Sequence, residues 1–190
     1  MDDYLSRDLH TPLGDLLFLI KNNRLVFCGW ENKGKAKDLI SRFKEKSTDA
    51  SLKTITIYKP DPKVSPLRFG SNLEASFEID RQLKAYFRAE LKEFSIPLVL
   101  YGTDFQLKVW NEISKIPYGS TVSYADIARR IGNPKAVRAV AQACGKNPIS
   151  IIIPCHRVVG SNGSTGGYNW GINCKLALLN LEKSRDRILL

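Results

Sequence analysis

The chain has 190 residues and a formal net charge of +10; with 43% hydrophobic and 25% charged side chains it has the composition of one large or two small globular domains. No apolar run reaches membrane-span length, and the start Met1-Asp2-Asp3-Tyr4 is acidic, without the basic start and apolar core of a signal peptide. Four cysteines without CxxC spacing, accompanied only by His10 and His156, argue against a metal site and for a reducing compartment inside the cell.

The first half predicts mixed α/β structure. Leu16–Ile20 and Leu25–Trp30 are apolar runs around Lys21-Asn22-Asn23-Arg24, which reads as a β-hairpin. Lys35–Lys46 has helical spacing, with Leu39, Ile40 and Phe43 inward. Leu52–Tyr58 alternates as a strand does, and Lys59–Gly70, with Pro60, Pro62 and Pro66, reads as a loop. Leu73–Ala89 predicts a helix through Phe77, Leu83, Tyr86 and Phe87, and Phe94–Leu100 a further extended run. No chemical motif occurs in residues 1–100, so a scaffold role is expected there.

From Tyr101 onward the pattern turns helical. Thr103-x-x-Gln106 is a capping box that opens a helix through Val109, Trp110, Ile113 and Ile116, ended by Pro117-Tyr118-Gly119. Ser123-x-x-Asp126 opens a short second helix that stops at Gly132. Asn133 reads as the cap of a third, with Pro134 in its first position. Two short helices joined by Ile131-Gly132-Asn133 form a helix-turn-helix signature. On the third helix Val137, Val140, Ala141 and Cys144 are expected inward. Lys135, Arg138 and Gln142 share another face, and Ala136, Ala139 and Ala143 leave a smooth surface between. That describes either a plain amphipathic helix or one shaved down to lie against DNA with Arg138 projecting.

Residues 1–100 carry 17 basic and 14 acidic side chains, residues 101–190 carry 12 and 5. No Asp or Glu occurs from Ile127 to Leu181, which holds Arg129, Arg130, Lys135, Arg138, Lys146, Arg157 and Lys175. A basic excess serves solubility in any protein; its concentration in one segment points to nucleic acid. Inside that segment, Ile151-Ile152-Ile153-Pro154-Cys155-His156-Arg157-Val158-Val159 sets a Cys-His pair after an apolar β-like run. A thiol reacts as the thiolate and needs a base, a cation or a helix N-terminus nearby. Alone, the dipeptide equally describes a buried, inert cysteine. Adjacent side chains of an extended chain also point to opposite faces, so either Pro154 bends the chain or a water bridges the pair.

Taken together, these residues resemble the O6-alkylguanine-DNA alkyltransferase family. The match runs from about Phe105 to Glu182 and includes the helix-turn-helix, Gly132–Val140, Asn147-Pro148, Pro154–Val158 and the Gly-rich loop Gly163–Gly171. The first half is similar more loosely, chiefly in Thr11-Pro12-Leu13-Gly14 and the hairpin. The resemblance implies an α/β protein: a ribonuclease-H-like α/β domain over residues 1–100, joined to a winged-helix-like catalytic domain over residues 101–190. It implies a monomer acting on double-stranded DNA, without cofactor, metal or membrane, in the cytoplasm or, in a eukaryote, the nucleus.

The implied reaction moves an alkyl group from O6 of guanine, and from O4 of thymine, irreversibly onto Cys155. His156 is then the base acting through a water, Glu182 the carboxylate that fixes its tautomer, and Asn147 a brace for the segment. Tyr124 hydrogen-bonds or protonates the leaving base at N3. The base is flipped out of the duplex, with Arg138 taking its place and Lys135, Ala136, Ala139, Gln142 and Tyr124 on the DNA face. Val158, Tyr168, Asn169 and Trp170 line the pocket. The family often has Ser at the position of Asn169 and in some members Gly at that of Trp170. A pocket-lining indole at Trp170 admits methyl and ethyl groups and hinders benzyl; alternatively it is an anchor that packs the loop. Three rivals remain: a lesion-binding relative without transfer, which would lack the cysteine; a winged-helix regulator, which leaves Pro154–Val158 unexplained; and a Cys-His hydrolase, which has no use for the DNA helix.

Overall fold

The computed structural model describes residues 4–32, 34–46, 53–57 and 70–183. In chain order they form β1 (Tyr4–Leu9), β2 (Leu16–Lys21), β3 (Arg24–Trp30), α1 (Lys35–Lys46), β4 (Lys53–Ile57), α2 (Asn72–Phe87) and β5 (Leu98–Gly102). There follow α3 (Asp104–Ile113), β6 (Val122–Ser123), α4 (Tyr124–Arg130), α5 (Val137–Gly145), a single 3-10 turn (Cys155–Arg157), β7 (Val158–Val159) and α6 (Ile172–Lys183). The fold is mixed α/β.

The hairpin forms as expected, because Asn22 and Asn23 both adopt left-handed backbone (φ 49° and 63°), the requirement of its two-residue turn. β2 is apolar on both faces since both are covered. On one side Leu17, Leu19, Val26 and Phe27 meet Ala36 and Ile40 of α1. On the other, Phe18, Ile20 and Leu25 join Ile79, Leu83 and Tyr86 of α2. The sheet order is β1-β2-β3-β5-β4, with β3 and β5 parallel and the other pairs antiparallel.

β3 and β5 pair only at Leu25 and Leu98 and then part. Into the gap comes chain from the second half: Cys28 N donates to Pro148 O (2.9 Å) and Ser150 N to Cys28 O (2.8 Å). The core is continuous across this seam, with Val109, Trp110, Ile149, Ile153 and Leu178 in the same cluster as Phe18 and Leu83. β5 also runs to Gly102, past the expected boundary after residue 100.

Several boundaries differ from expectation. The extended run from Phe94 becomes a strand only at Leu98, because Pro97 has no N–H to pair. Leu52, Tyr58 and residues 59–69 lie outside the described residues. Both capping boxes, at Thr103 and Ser123, are present. Asn133, however, caps no helix. Its N–H reaches back to Ala128 O (2.9 Å) and that of Gly132 to Arg129 O (3.0 Å), so it closes α4 in a Schellman arrangement. α5 therefore starts three residues past Pro134, at Val137, with Ala136 before it and no side-chain cap. Its buried stripe is Val140, Ala143 and Cys144; Ala141 is exposed, and Ala143 O accepts from Trp110 Nε1 (2.9 Å).

Gly132 (φ 75°) has no heavy atom within reach of an added Cβ, so replacing it tests conformation alone. Gly132→Ala should cost about 1–2 kcal/mol, read as a lower urea midpoint at unchanged slope. An unchanged midpoint would show that the left-handed closure of α4 contributes nothing.

Candidate functional site

The segment from Asn147 to Arg157 is built of turns. Ile153 N bonds Ile149 O (3.1 Å) and Ile152 N bonds Ser150 O (2.9 Å), which forces Ile151 to φ 71°. A buried β-branched residue in that region is strained. The apolar run before Cys155 is thus no strand, contrary to expectation. Its backbone groups satisfy one another and β3, and it ends in the 3-10 turn that carries Cys155 and His156. Pro154 (φ −82°, ψ 64°) makes the bend that lets neighbouring side chains serve one site.

Asn147 clamps this turn. Its Nδ2 donates to Ile153 O (2.8 Å) and to Cys155 Sγ (3.1 Å), and its Oδ1 accepts from Ile149 N (3.0 Å). His156 is fully buried and its Nε2 lies 2.8 Å from Glu182 Oε1. The carboxylate only accepts, so Nε2 carries the proton and Nδ1 has a free lone pair. Nδ1 is buried with no hydrogen-bond partner among the described residues.

Glu182 is the hub. It accepts from Tyr86 Oη (2.7 Å), His156 Nε2 (2.8 Å), Arg157 Nε (2.9 Å) and Nη2 (2.9 Å), and Gly119 N (3.1 Å). Burial pushes its carboxyl up, but the bonds from His156 and Arg157, with the Arg157 charge, outweigh that and hold it at about 2. Burial holds the His156 imidazole below its ordinary value against the pull of Glu182, so it rests neutral, as a base must.

The thiol needs its base. Cationic surroundings are present, but burial dominates and pushes Cys155 up, opposed by the Asn147 bond and the charge of Lys175. The resting group is therefore a thiol. Lys175 was not anticipated. Buried on α6, it donates from Nζ to Val158 O (2.6 Å) and Thr165 O and sits 5.8 Å from the Tyr124 ring centre. It and Glu182 lie seven residues apart on one helix, a same-face spacing that could have flagged it.

A cavity of about 360 Å³ reaches Cys155 and is walled by Tyr124, Gln142, Cys144, Tyr168 and Asn169, among others. Tyr124 opens α4, and burial followed by the nearby thiols pushes its hydroxyl up to about 12, so it remains a proton donor. Gly166 (φ 64°) lies so close that a Cβ there would stand 2.9 Å from Tyr124 Oη. Lys135, Arg138, Ala139 and Gln142 are exposed on or just before α5, with Ala136 half-buried. Val158 is buried, offering its carbonyl to Lys175. Trp170 does not line this cavity. Its ring lies on Gly29 of β3, where an added Cβ would come within 2.2 Å, and its Nε1 donates to Ser150 Oγ (2.6 Å). It is the loop's anchor, because the seam beside β3 offers both an apolar floor and an acceptor.

The chain is similar to known proteins over most of its length. The description of the 6-O-methylguanine DNA methyltransferase DNA-binding domain matches residues 104–184. A methylated-DNA–protein-cysteine methyltransferase of Methanosarcina acetivorans is 48% identical over 137 residues, 72% of this chain and 88% of that protein. One from Mycobacterium bovis is 60% identical over 104 residues, 55% of this chain and 63% of its own. The crystal structure of Mycobacterium tuberculosis OGT in complex with DNA aligns with a TM-score of 0.72 at 40% identity, covering 97% of this chain and 94% of that one. The chain belongs to the methylated-DNA–protein-cysteine methyltransferase family.

Glu182→Gln leaves Arg157 buried without its counter-charge and should cost about 3–5 kcal/mol. Because the folded pKa is depressed from 4.5 to about 2, the carboxylate's contribution is complete above pH 4.5 and is lost as the pH falls towards 2. Urea titrations should show that acid loss in wild type and a flatter profile in Glu182→Gln. Parallel profiles would remove Glu182 from the hub role.

Proposed function

We propose that this protein repairs alkylated DNA by direct reversal, taking a methyl or small alkyl group from O6 of guanine onto Cys155. O4-alkylthymine offers the same alkyl–oxygen bond and is the second substrate. The observation that carries the reading is the two buried pairs Asn147–Cys155 and His156–Glu182, set on adjoining residues, with Cys155 at a cavity beside the exposed face of α5. The proton of Cys155 passes through one water to His156 Nδ1, the acceptor left open at the site. The sulfur attacks the alkyl carbon, the carbon–oxygen bond breaks, and its electron pair stays on O6. The Tyr124 hydroxyl donates to N3 of the departing base and offsets the charge formed there. A thioether results, and nothing in the site reverses it, so each molecule acts once.

The substrate is double-stranded DNA, bound by a monomer through phosphates along α4 and α5. Lys135, Arg138 and Gln142 are exposed there, and Ala136 and Ala139 keep the approach close. The target base is flipped at a cost of a few kcal/mol, and Arg138 takes its place in the stack. Residues 1–100 would then form a ribonuclease-H-like unit and residues 101–190 a winged-helix-like catalytic unit, working wherever the cell keeps its DNA.

Intact mass after incubation with O6-methylguanine duplex should show one added methyl in wild type and none in Cys155→Ser, with DNA binding retained. An adduct mapped to Cys28, Cys144 or Cys174 would overturn the assignment. Arg138→Ala should slow duplex repair by tenfold or more while leaving reaction with the free modified base unchanged; equal loss on both would refute a flipping role. Affinity should fall steeply between 50 and 200 mM salt, as phosphate binding requires, by about 10³-fold for six contacts. Because the thiol rests protonated beside a neutral base, the single-turnover rate should stay level from pH 6.5 to 9.0. A rate rising with hydroxide across that window would mean that free thiolate, not the Cys155–His156 pair, is the reactant.

A further inference from the structure

Behind the alkyl cavity lies a second one, of about 390 Å³, between α1, β5 and the end of α5. Its walls include Leu39, Phe43 and Tyr101, with Arg42 and Lys146 at the rim. Phe43 and Tyr101 stand edge to face at 5.2 Å, an arrangement that offers a third ring an aromatic partner. Among the described residues, only Gly145 and Asn169 belong to the linings of both cavities. Gly145 has no side chain, so Asn169 is the shared lining residue whose side chain can stand between them.

That amide is held from the other half of the molecule. Lys35 Nζ, at the start of α1, donates to Asn169 O (2.7 Å) and to Asn169 Oδ1 (3.0 Å). The same ammonium sits 5.1 Å from the ring centre of Trp170, which is itself pinned to Ser150. Backbone and side chain of Asn169 are thus gripped by one cation whose own position is set by α1, not by the loop.

We propose that Lys35 determines which alkyl groups the site accepts, by holding Asn169 as a closed partition between the alkyl cavity and the aromatic cavity behind it. This rests on the alkyl-transfer reading above. With the partition closed, a methyl or ethyl group fits against Cys155 and a benzyl ring meets the Asn169 amide. With Lys35 removed, the amide is free to turn aside and the ring extends towards Phe43 and Tyr101. Size selection then belongs to the contact between the two halves, and Trp170 serves it only as the anchor of the loop.

The test is the single-turnover rate of Cys155 alkylation, by intact mass, from duplexes carrying O6-methylguanine or O6-benzylguanine. Lys35→Ala should raise the benzyl-to-methyl rate ratio about tenfold or more, the discrimination typical of a hydrophobic pocket wall. Asn169→Ala should raise it similarly, and Lys35→Arg, which keeps the donors, should hold it near wild type. A ratio unchanged in Lys35→Ala overturns the proposal, whether methyl transfer persists or both rates fall together as the loop loosens. A ratio raised equally in Lys35→Arg overturns it too, because the donors would then be irrelevant. Failure of the wild type to alkylate Cys155 from either duplex refutes the transfer reading itself, a result distinct from an unchanged ratio in working variants.

Discussion

A single buried carboxylate organises the catalytic half. Glu182 takes hydrogen bonds from α2 through Tyr86, from the turn after α3 through Gly119, and from the reactive turn through His156 and Arg157. A buried charge left short of partners costs several kcal/mol, and here every direction is filled. Arg157 bridges further to Ile116 O (2.6 Å), so the ion pair also ties the reactive turn to the end of α3. The acid-free composition of residues 127–181 acquires a structural sense from this. A second carboxylate near Arg157 or Lys175 would compete for the cations that Glu182 and the thiol need.

The thiol is protected and primed by the same surroundings. Burial favours its neutral form, which limits adventitious oxidation or alkylation. The groups that stabilise a thiolate are nevertheless already aimed at it: the Asn147 amide at 3.1 Å and the charge of Lys175. They need no reorganisation when the proton leaves, which is how fixed dipoles in a dry site lower a barrier. Strain at Ile151 fits the same economy, since the turn is held from both ends by Asn147 and by β3.

The amino-terminal half meets the second half at three places. β3 supplies the backbone that pairs with residues 148–150, and Gly29 gives Trp170 a surface without a Cβ. α1 supplies the ammonium that grips Asn169. Nothing in the sequence singles out Lys35, which looks like any other lysine in a solvated helix.

The elements were largely legible in the sequence, because hairpin, capping boxes and helical periodicity are local: Asn22-Asn23, Thr103–Gln106 and Ser123–Asp126 act within a few residues. Cys155, His156 and Glu182 stood out through the pattern that resembles a known family, and the structure sets His156 against Glu182 while one cavity is lined by Cys155, Tyr124, Tyr168 and Asn169. Where local signals compete, tertiary structure decided. Asn133 was equally suited to starting α5 or finishing α4, and only the bond to Ala128 O selects the second. Ile151–Ile153 has the composition of a strand, yet pairing with Cys28 and the Asn147 clamp fold it into turns. The partners of Lys175 and Lys35 and the placement of Trp170 share one origin. Each depends on which backbone carbonyl or ring lies opposite, and that is set by how the two halves close on β3, not by any spacing along the chain.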